Sequence, residues 1–314
     1  MKRSVKLLMG AGSAVALLAA LNDRVRWNVG PVPRWVEGEA HFYQWREGAI
    51  AYQVAGPQDA PALLLLHAPG LTASSFEFRH IFSLLTRDFR VYLPDLLGFG
   101  RSERPALRYT ADTYVDLWGD FARDVIGRPA HVVASGLSCS HVVAAAGRHP
   151  ERFGALLLIG PAGTGALPVW RRVLGALFDA WLRLPIIGTA VFNLLVSKAP
   201  LSYYPSQYVY GTPCAFSEAT LADHYTVSHQ PDAKWAPAAW AAGQFYRDVS
   251  AEFVALPGVV CIVYGQQARP AAIAEARAFA VLRPDVPVEV VDLAGSAVAE
   301  EQPEAIVGLL RQMI

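Results

Sequence analysis

The side chains able to do chemistry gather around one stretch, Ala130 to Pro150. It opens with a β-branched run, His131 to Ser135, which predicts a buried strand. It then passes through small residues and continues as an alanine-rich helix that Pro150 must stop. Strand, tight turn and helix together form the setting of a nucleophile elbow, in which a strained turn raises one side chain above a sheet. One register of the turn, Gly136-Leu137-Ser138-Cys139-Ser140, presents Ser138 as a nucleophile. A serine hydroxyl attacks a carbonyl only with a base at hydrogen-bond distance and a third group orienting that base. The available imidazoles are His67, His141 on the same helix as Ser138, and the distant His224 and His229. Proton transfer without a covalent step, through His67, Asp95 or a later histidine, is the other chemistry open to these groups. Each also has a plain structural role: His67 as a satisfied strand-end histidine, Asp95 as an acceptor of backbone N–H groups in the Gly98-Phe99-Gly100 loop.

The elements that must hold these groups follow from periodicity. Ala40–Trp45 and Ala49–Ala55 read as strands around a Glu47-Gly48 turn. Leu63–His67, Arg90–Leu93, Ala155–Ile159, Val259–Tyr264 and Val286–Leu293 read as further strands. Ser74–Thr86, Thr110–Ile126 (capped by Thr110), Ala271–Leu282 and Pro303–Met313 read as helices. Strands alternating with helices imply an α/β fold with a mostly parallel central sheet flanked by helices. Between Gly163 and the Val259 strand the pattern changes to a Trp-, Leu- and Tyr-rich helical insertion with helices over Thr220–His229 and Pro237–Phe253. Its Trp170, Trp181, Trp235, Trp240 and tyrosines are expected to form its own core.

Several of these segments resemble the α/β-hydrolase superfamily: Leu63-Leu64-Leu65-Leu66-His67-Ala68-Pro69-Gly70, Pro94-Asp95-Leu96-Leu97-Gly98-Phe99-Gly100-Arg101-Ser102, the elbow stretch, His149-Pro150-Glu151-Arg152-Phe153, and Glu301-Gln302-Pro303-Glu304. The resemblance runs from about His41 to the C-terminus and implies an α/β-hydrolase fold with the insertion as a helical lid. It also implies where the catalytic groups should stand. The elbow nucleophile falls on Gly136, flanked by the small Ala134 and Ser138. The acid position after the Val259–Tyr264 strand falls on Ala268, and the histidine turn, Leu293-Ala294-Gly295-Ser296, places Ser296 where the imidazole belongs. The second oxyanion donor falls on Pro69, which has no N–H. Losing one such donor typically costs about 2.7–4 kcal/mol of barrier. The resemblance therefore implies a hydrolase fold with substituted triad positions, no catalytic residues expected, and Ser138 as the alternative nucleophile. An apolar lid above the sheet edge makes a cleft for a lipophilic small molecule against Ala68, Pro69, Gly136 and Leu137.

Composition sets outer bounds. Among the 314 residues, 27 basic side chains balance 27 acidic ones, so net charge gives no argument for nucleic acid. Cys139, Cys214 and Cys261 show neither metal spacing nor a disulfide framework, and no metal or cofactor is expected. Lys2, Arg3 and Lys6 precede an uncharged run, Leu7–Leu21, short of the ~20 residues that span a bilayer, with Gly10 and Ala14 as a small-residue contact face. Residues 1–27 are expected to be a membrane anchor or, alternatively, a cleaved export signal or a helix packed on the protein's own surface. The remaining divisions are 28–163 and 255–314 as the two parts of the core and 164–254 as the lid. The expectation is a catalytically degenerate hydrolase-fold protein that binds a lipophilic molecule or serves as a membrane-associated partner of an unidentified protein. The alternative is a working esterase using Ser138, or a cofactor-free lyase or isomerase.

Overall fold

The computed structural model describes residues 16–25, 28–212 and 216–314. Its centre is an eight-stranded sheet in the order β1-β2-β4-β3-β5-β6-β7-β8. The strands are β1 (Glu39–Trp45), β2 (Gly48–Ala55), β3 (Ala62–Leu66), β4 (Arg90–Pro94), β5 (Ala130–Ser135), β6 (Phe153–Ile159), β7 (Val260–Gly265) and β8 (Val288–Val291). The first two form the expected antiparallel hairpin, β2 runs antiparallel to β4, and every pairing from β4 to β8 is parallel. The parallel strands are continuous apolar runs because helices cover both faces. Successive residues of β3 feed opposite layers. Leu64 and Leu66 pack with Trp118, Phe121 and Phe253 on one side, and Leu63 and Leu65 with Phe78, Phe82 and Ile306 on the other.

The helices are α1 (16–25), α2 (Arg79–Leu85), α3 (Ala111–Phe121), α4 (Ser138–Arg148), α5 (Val169–Leu182), α6 (Ile187–Leu195), α7 (Lys198–Tyr208), α8 (Glu218–Ser228), α9 (Trp235–Ala241), α10 (Ser250–Ala255), α11 (Pro270–Leu282), α12 (Val298–Glu301) and α13 (Pro303–Met313). Thr110 caps α3 through a capping box with Thr113. Helices α5 to α9 form the insertion between β6 and β7, with a small core of Leu182, Phe192, Val196, Leu201, Ala233 and Ala238.

Four sequence expectations are corrected. Ser74–Thr86 is not one helix: Ser75–Phe78 is a separate 3₁₀ turn, because the Ser74 hydroxyl accepts from Phe76 N–H and the Asp95 carboxylate accepts from Ser75 N–H. Pro237–Phe253 breaks at Gly243, whose positive φ of 76° ends α9. The last strand shortens to Val288–Val291 because Leu293 takes a positive φ and turns the chain. Within the lid, Trp170, Trp181, Tyr203 and Tyr204 are exposed rather than core. Of the N-terminal segment, residues 1–15 and 26–27, with the Gly10/Ala14 face, lie outside the described residues. The described part, α1, is joined to the lid: Asn22 donates to the Ile186 carbonyl and accepts from the Asn193 amide.

One loop is fixed by a glycine. The Asp95 carboxylate accepts from the Ser75 N–H of the β3–α2 connection and from the Arg101 N–H of its own β4–α3 connection. Gly100, at φ +50°, lies so close that a Cβ there would fall 2.0 Å from Asp95 Oδ1. Gly100→Ala is expected to cost about 1–3 kcal/mol in urea unfolding, from the left-handed φ and displacement of the carboxylate.

Candidate functional site

The β5–α4 turn is the centre of the site. Gly136 stands between strand and helix at φ +58°, held by a hydrogen bond from its N–H to the Ile159 carbonyl. A Cβ on it would lie 3.1 Å from the Ala68 side chain. Leu137 precedes the first helical residue of α4 and places its backbone at the positive end of that helix. Pro69 is buried just beyond β3. The neighbouring Ala68 N–H, which could serve an incoming oxyanion, donates instead to Glu77 Oε2 at 2.8 Å.

Ser138 is fully buried in the first turn of α4, and its hydroxyl donates to the His67 carbonyl at 2.7 Å. No imidazole among the described residues hydrogen-bonds to it. His67 is engaged on both ring nitrogens: Nε2 accepts from Leu96 N–H, which leaves Nδ1 as the donor to the Ala68 carbonyl. Burial pushes its pKa down despite Asp95 nearby, so the ring is neutral. His141 donates through Nε2 to the Phe245 carbonyl, stacks on Tyr114, and is pushed down to about 4 by burial. His224, in α8, is likewise pushed down to about 4 by burial. His229 bonds the Tyr225 carbonyl and lies flat on the Tyr225 ring.

At the other two positions where the resemblance places catalytic groups, the backbone is tied into turns. Ala268 closes the turn after β7, its N–H on the Gly265 carbonyl. Ser296 is exposed, and its N–H donates to the Val209 carbonyl at the end of α7. Between these positions Gly211, Gly265 and Gly295 pack backbone on backbone: a Cβ on Gly265 would fall 2.1 Å from the Gly295 carbonyl oxygen. Glu301 seals the junction by accepting from the Gly211, Thr212 and Gly295 N–H groups. The lid is thus stitched to the loop in which the resemblance places an imidazole.

Beside the turn lies a cluster of buried and half-buried ionisable groups that the sequence analysis missed. Glu77 is pushed up to about 7, chiefly by burial, against the favourable Ser135 and Ala68 hydrogen bonds. Arg79 stacks on Phe76 and pairs with Glu300, which also accepts from the Tyr210 hydroxyl at 3.0 Å. Burial outweighs that pairing and raises the Glu300 pKa. On α8, Asp223 accepts from the Ser74 hydroxyl at 3.0 Å and is pushed up to about 7 by burial. Its Oδ1 has no hydrogen-bond partner among the described residues. These side chains come from positions 77, 79, 223 and 300, and no spacing links them. The only signal was local: Glu77 and Arg79 sit among the apolar positions Phe76, Phe78 and Ile81, where a charge is unexpected.

A cavity of about 540 Å³ opens elsewhere, between α5, the end of α9 and the α3 N-terminus. Leu167, Ala176 and Ala242 line it together with Arg108, Arg172 and Asp248. Ala68, Pro69, Gly136 and Leu137 do not line it. The arrangement can hold protons near neutrality at Glu77 and Asp223, and the Ser138 hydroxyl is bonded to a carbonyl rather than to an imidazole.

Comparison with known proteins supports the same architecture. Residues 63–309 match the model of the alpha/beta hydrolase family. The chain is 38% identical over 107 residues to 2-hydroxymuconate semialdehyde hydrolase of Pseudomonas sp. (strain CF600), covering 32% of this chain and 36% of that protein. It is 31% identical over 128 residues to carboxylesterase YbfK of Bacillus subtilis (strain 168), covering 40% and 43%. The matched segments thus span less than half the length of either relative. Among solved structures, a 2-hydroxy-6-oxo-6-phenylhexa-2,4-dienoate hydrolase from Rhodococcus sp. strain RHA1 superposes with a TM-score of 0.70 at 22% identity, covering 88% of this chain and 99% of that one. At that identity the likeness concerns the fold. With the sheet order, the elbow turn and a family match over residues 63–309, the chain belongs to the alpha/beta hydrolase family.

Proposed function

We propose that this is a hydrolase-fold protein that binds an amphiphilic small molecule under its lid without cleaving it. The observation that carries the reading is Gly136, a hydrogen in place of a hydroxymethyl group at a turn of φ +58°. Three features support it: the Ser138 hydroxyl is committed to the His67 carbonyl, Pro69 lacks a donor, and Ala68 N–H is held by Glu77. Attack on an ester needs nucleophile, base and oxyanion donors together, and removing them as a set leaves little of the acyl-transfer rate. The cavity is lined by apolar residues together with two arginines and one carboxylate, Asp248, which suits a lipophilic body with a polar head. Both curated relatives above are named as hydrolases, so a working esterase using Ser138 is the competing reading.

The deciding experiment is hydrolysis of short- and medium-chain aryl esters by the full chain, with Ser138→Ala beside it. Turnover at the buffer rate for both proteins is expected. Gly136→Ser is expected to add no turnover, because a serine at the turn would still lack an imidazole. Ester cleavage well above background that disappears in Ser138→Ala would overturn the reading. Ala176→Phe, which fills the cavity, is expected to weaken binding of a fluorescent fatty acid by roughly tenfold or more.

A further inference from the structure

Helix α5 is built inside out. Its buried residues are Gly175, Asp179 and Leu182, spaced i, i+4, i+7, and Gly175 presses directly on the Ala242 backbone. Its large apolar residues point the other way: Val169, Trp170, Val173, Leu174, Leu177 and Trp181 are all exposed, with Trp170 at 64% and Leu177 at 63%. A helix packed only on its own protein buries that stripe, and exposed apolar faces of this extent mark an interaction surface. The face continues past the bend. Ile187 and Leu194 of α6 are exposed, and the α5–α6 pair is apolar enough to pass as a membrane span yet is bent by 112°, the shape of a segment lying on a bilayer rather than crossing it straight. Asn22 ties α1 to this same corner, and α1 exposes Leu17 and Leu21.

Charge decides what covers the face. From residue 164 to 217 the only acidic side chain is Asp179, which is buried and paired with Arg183. Arg171, Arg172 and Lys198 of the same segment are exposed. The chain as a whole is neutral, so this is a local excess of positive charge around an apolar stripe. Trp170, Trp181, Tyr203 and Tyr204 add amphipathic rings suited to the headgroup level. Apolar stripe, flanking arginines, interfacial aromatics and no exposed carboxylate between residues 164 and 217 together describe a helix lying in the plane of an anionic membrane, with Asp248 beside Arg172 in the neighbouring cavity rather than on the segment itself. We infer that the outer face of α5 and α6 docks the lid onto an anionic lipid bilayer. This inference does not rest on the proposed ligand or on residues 1–15.

The test uses the full chain with Cys214→Ser and Leu174→Cys, labelled at position 174 with an environment-sensitive fluorophore. Cys139 and Cys261 are buried and escape labelling. With vesicles of phosphatidylcholine and phosphatidylglycerol, co-flotation and a blue-shifted, brightened label are expected, both weaker on phosphatidylcholine alone. Replacing Trp170, Val173 and Leu177 together by glutamate is expected to lower vesicle partitioning by roughly tenfold or more, with the thermal midpoint unchanged because all three side chains are more than half exposed. Flotation with an unshifted label would mean that the protein is held by another segment and would overturn the inference. So would no flotation at all. A blue shift without vesicles, accompanied by a doubled mass in light scattering, would assign the face to a second copy of the chain instead.

Discussion

Arg79→Ala is expected to destabilise the protein by about 3–5 kcal/mol at neutral pH, the usual consequence of stripping one partner from a buried ion pair. Arg79 donates to the Phe76 carbonyl, lies 3.7 Å over the Phe76 ring, and is the cation facing Glu300. Glu300 is 8% exposed and reaches across to the Tyr210 hydroxyl of the lid segment. Without the guanidinium, the Tyr210 hydroxyl alone would solvate a buried carboxylate, with Glu77 raising the electrostatic cost. Proton uptake offers an escape. The Glu300 pKa is already raised by burial, and removing Arg79 moves it further in that direction. The deficit relative to wild type is therefore expected to shrink as pH falls, because a neutral Glu300 no longer needs the cation. Urea unfolding of both proteins at neutral and mildly acidic pH reads this directly. A deficit that stays constant with pH would show that Arg79 matters for its packing on Phe76 rather than for its charge. Arg79→Lys is expected to recover only part of the loss, since an ammonium can pair with Glu300 but lacks the planar face that stacks on Phe76.

Much of the scaffold could be read in the sequence because period and punctuation carry it. The all-apolar run of β3, the Thr110 cap and the proline after α4 each have one structural solution. Gly136 was legible for the same reason: small residues on either side and a strand before it allow few turn geometries. What stayed hidden depends on distant partners. The periodicity of α5 shows two faces but not which one turns inward. That choice is made by Gly175, where only a bare backbone can meet Ala242. The carboxylate cluster joins residues more than 220 positions apart, and no local pattern announces that Glu77 and Glu300 will share a desolvated pocket. The lid stitching at Gly211, Gly265 and Gly295 is similarly invisible, since close backbone approach leaves no mark beyond the glycines themselves.

Asp223→Asn is expected to stabilise the protein by about 2–4 kcal/mol at about pH 8 and to leave it nearly unchanged at about pH 4. Asp223 lies on the lid with none of its surface exposed, one oxygen on the Ser74 hydroxyl and the other without a hydrogen-bond partner among the described residues. The Trp35 indole N–H lies near enough to favour the charge slightly but outside hydrogen-bond geometry. Burial dominates, with Asp95 and Glu300 adding repulsion, and the pKa rises from 3.8 to about 7. Between those values the folded protein keeps a proton that the unfolded chain has lost. Stability from this group is then fully present below the unfolded pKa and declines as pH rises toward 7. His141 and His224 act in the opposite sense, losing stability as pH falls through the window from 6.5 to about 4. They cancel in the difference between variant and wild type, so unfolding free energies measured as a function of pH isolate Asp223. Asparagine keeps the shape and an acceptor for Ser74 without the charge, which is why removal rather than repair is expected to stabilise. The consequence reaches the lid, because the Asp223–Ser74 bond joins α8 to the core beside Phe76. Proteolysis of the lid helices in wild type is expected to quicken as pH rises through about 7, where Asp223 ionises, and to be flat with pH in Asp223→Asn. Equal pH profiles for the two proteins would mean that this carboxyl is ionised in the folded state throughout, and that the lid is held without its proton.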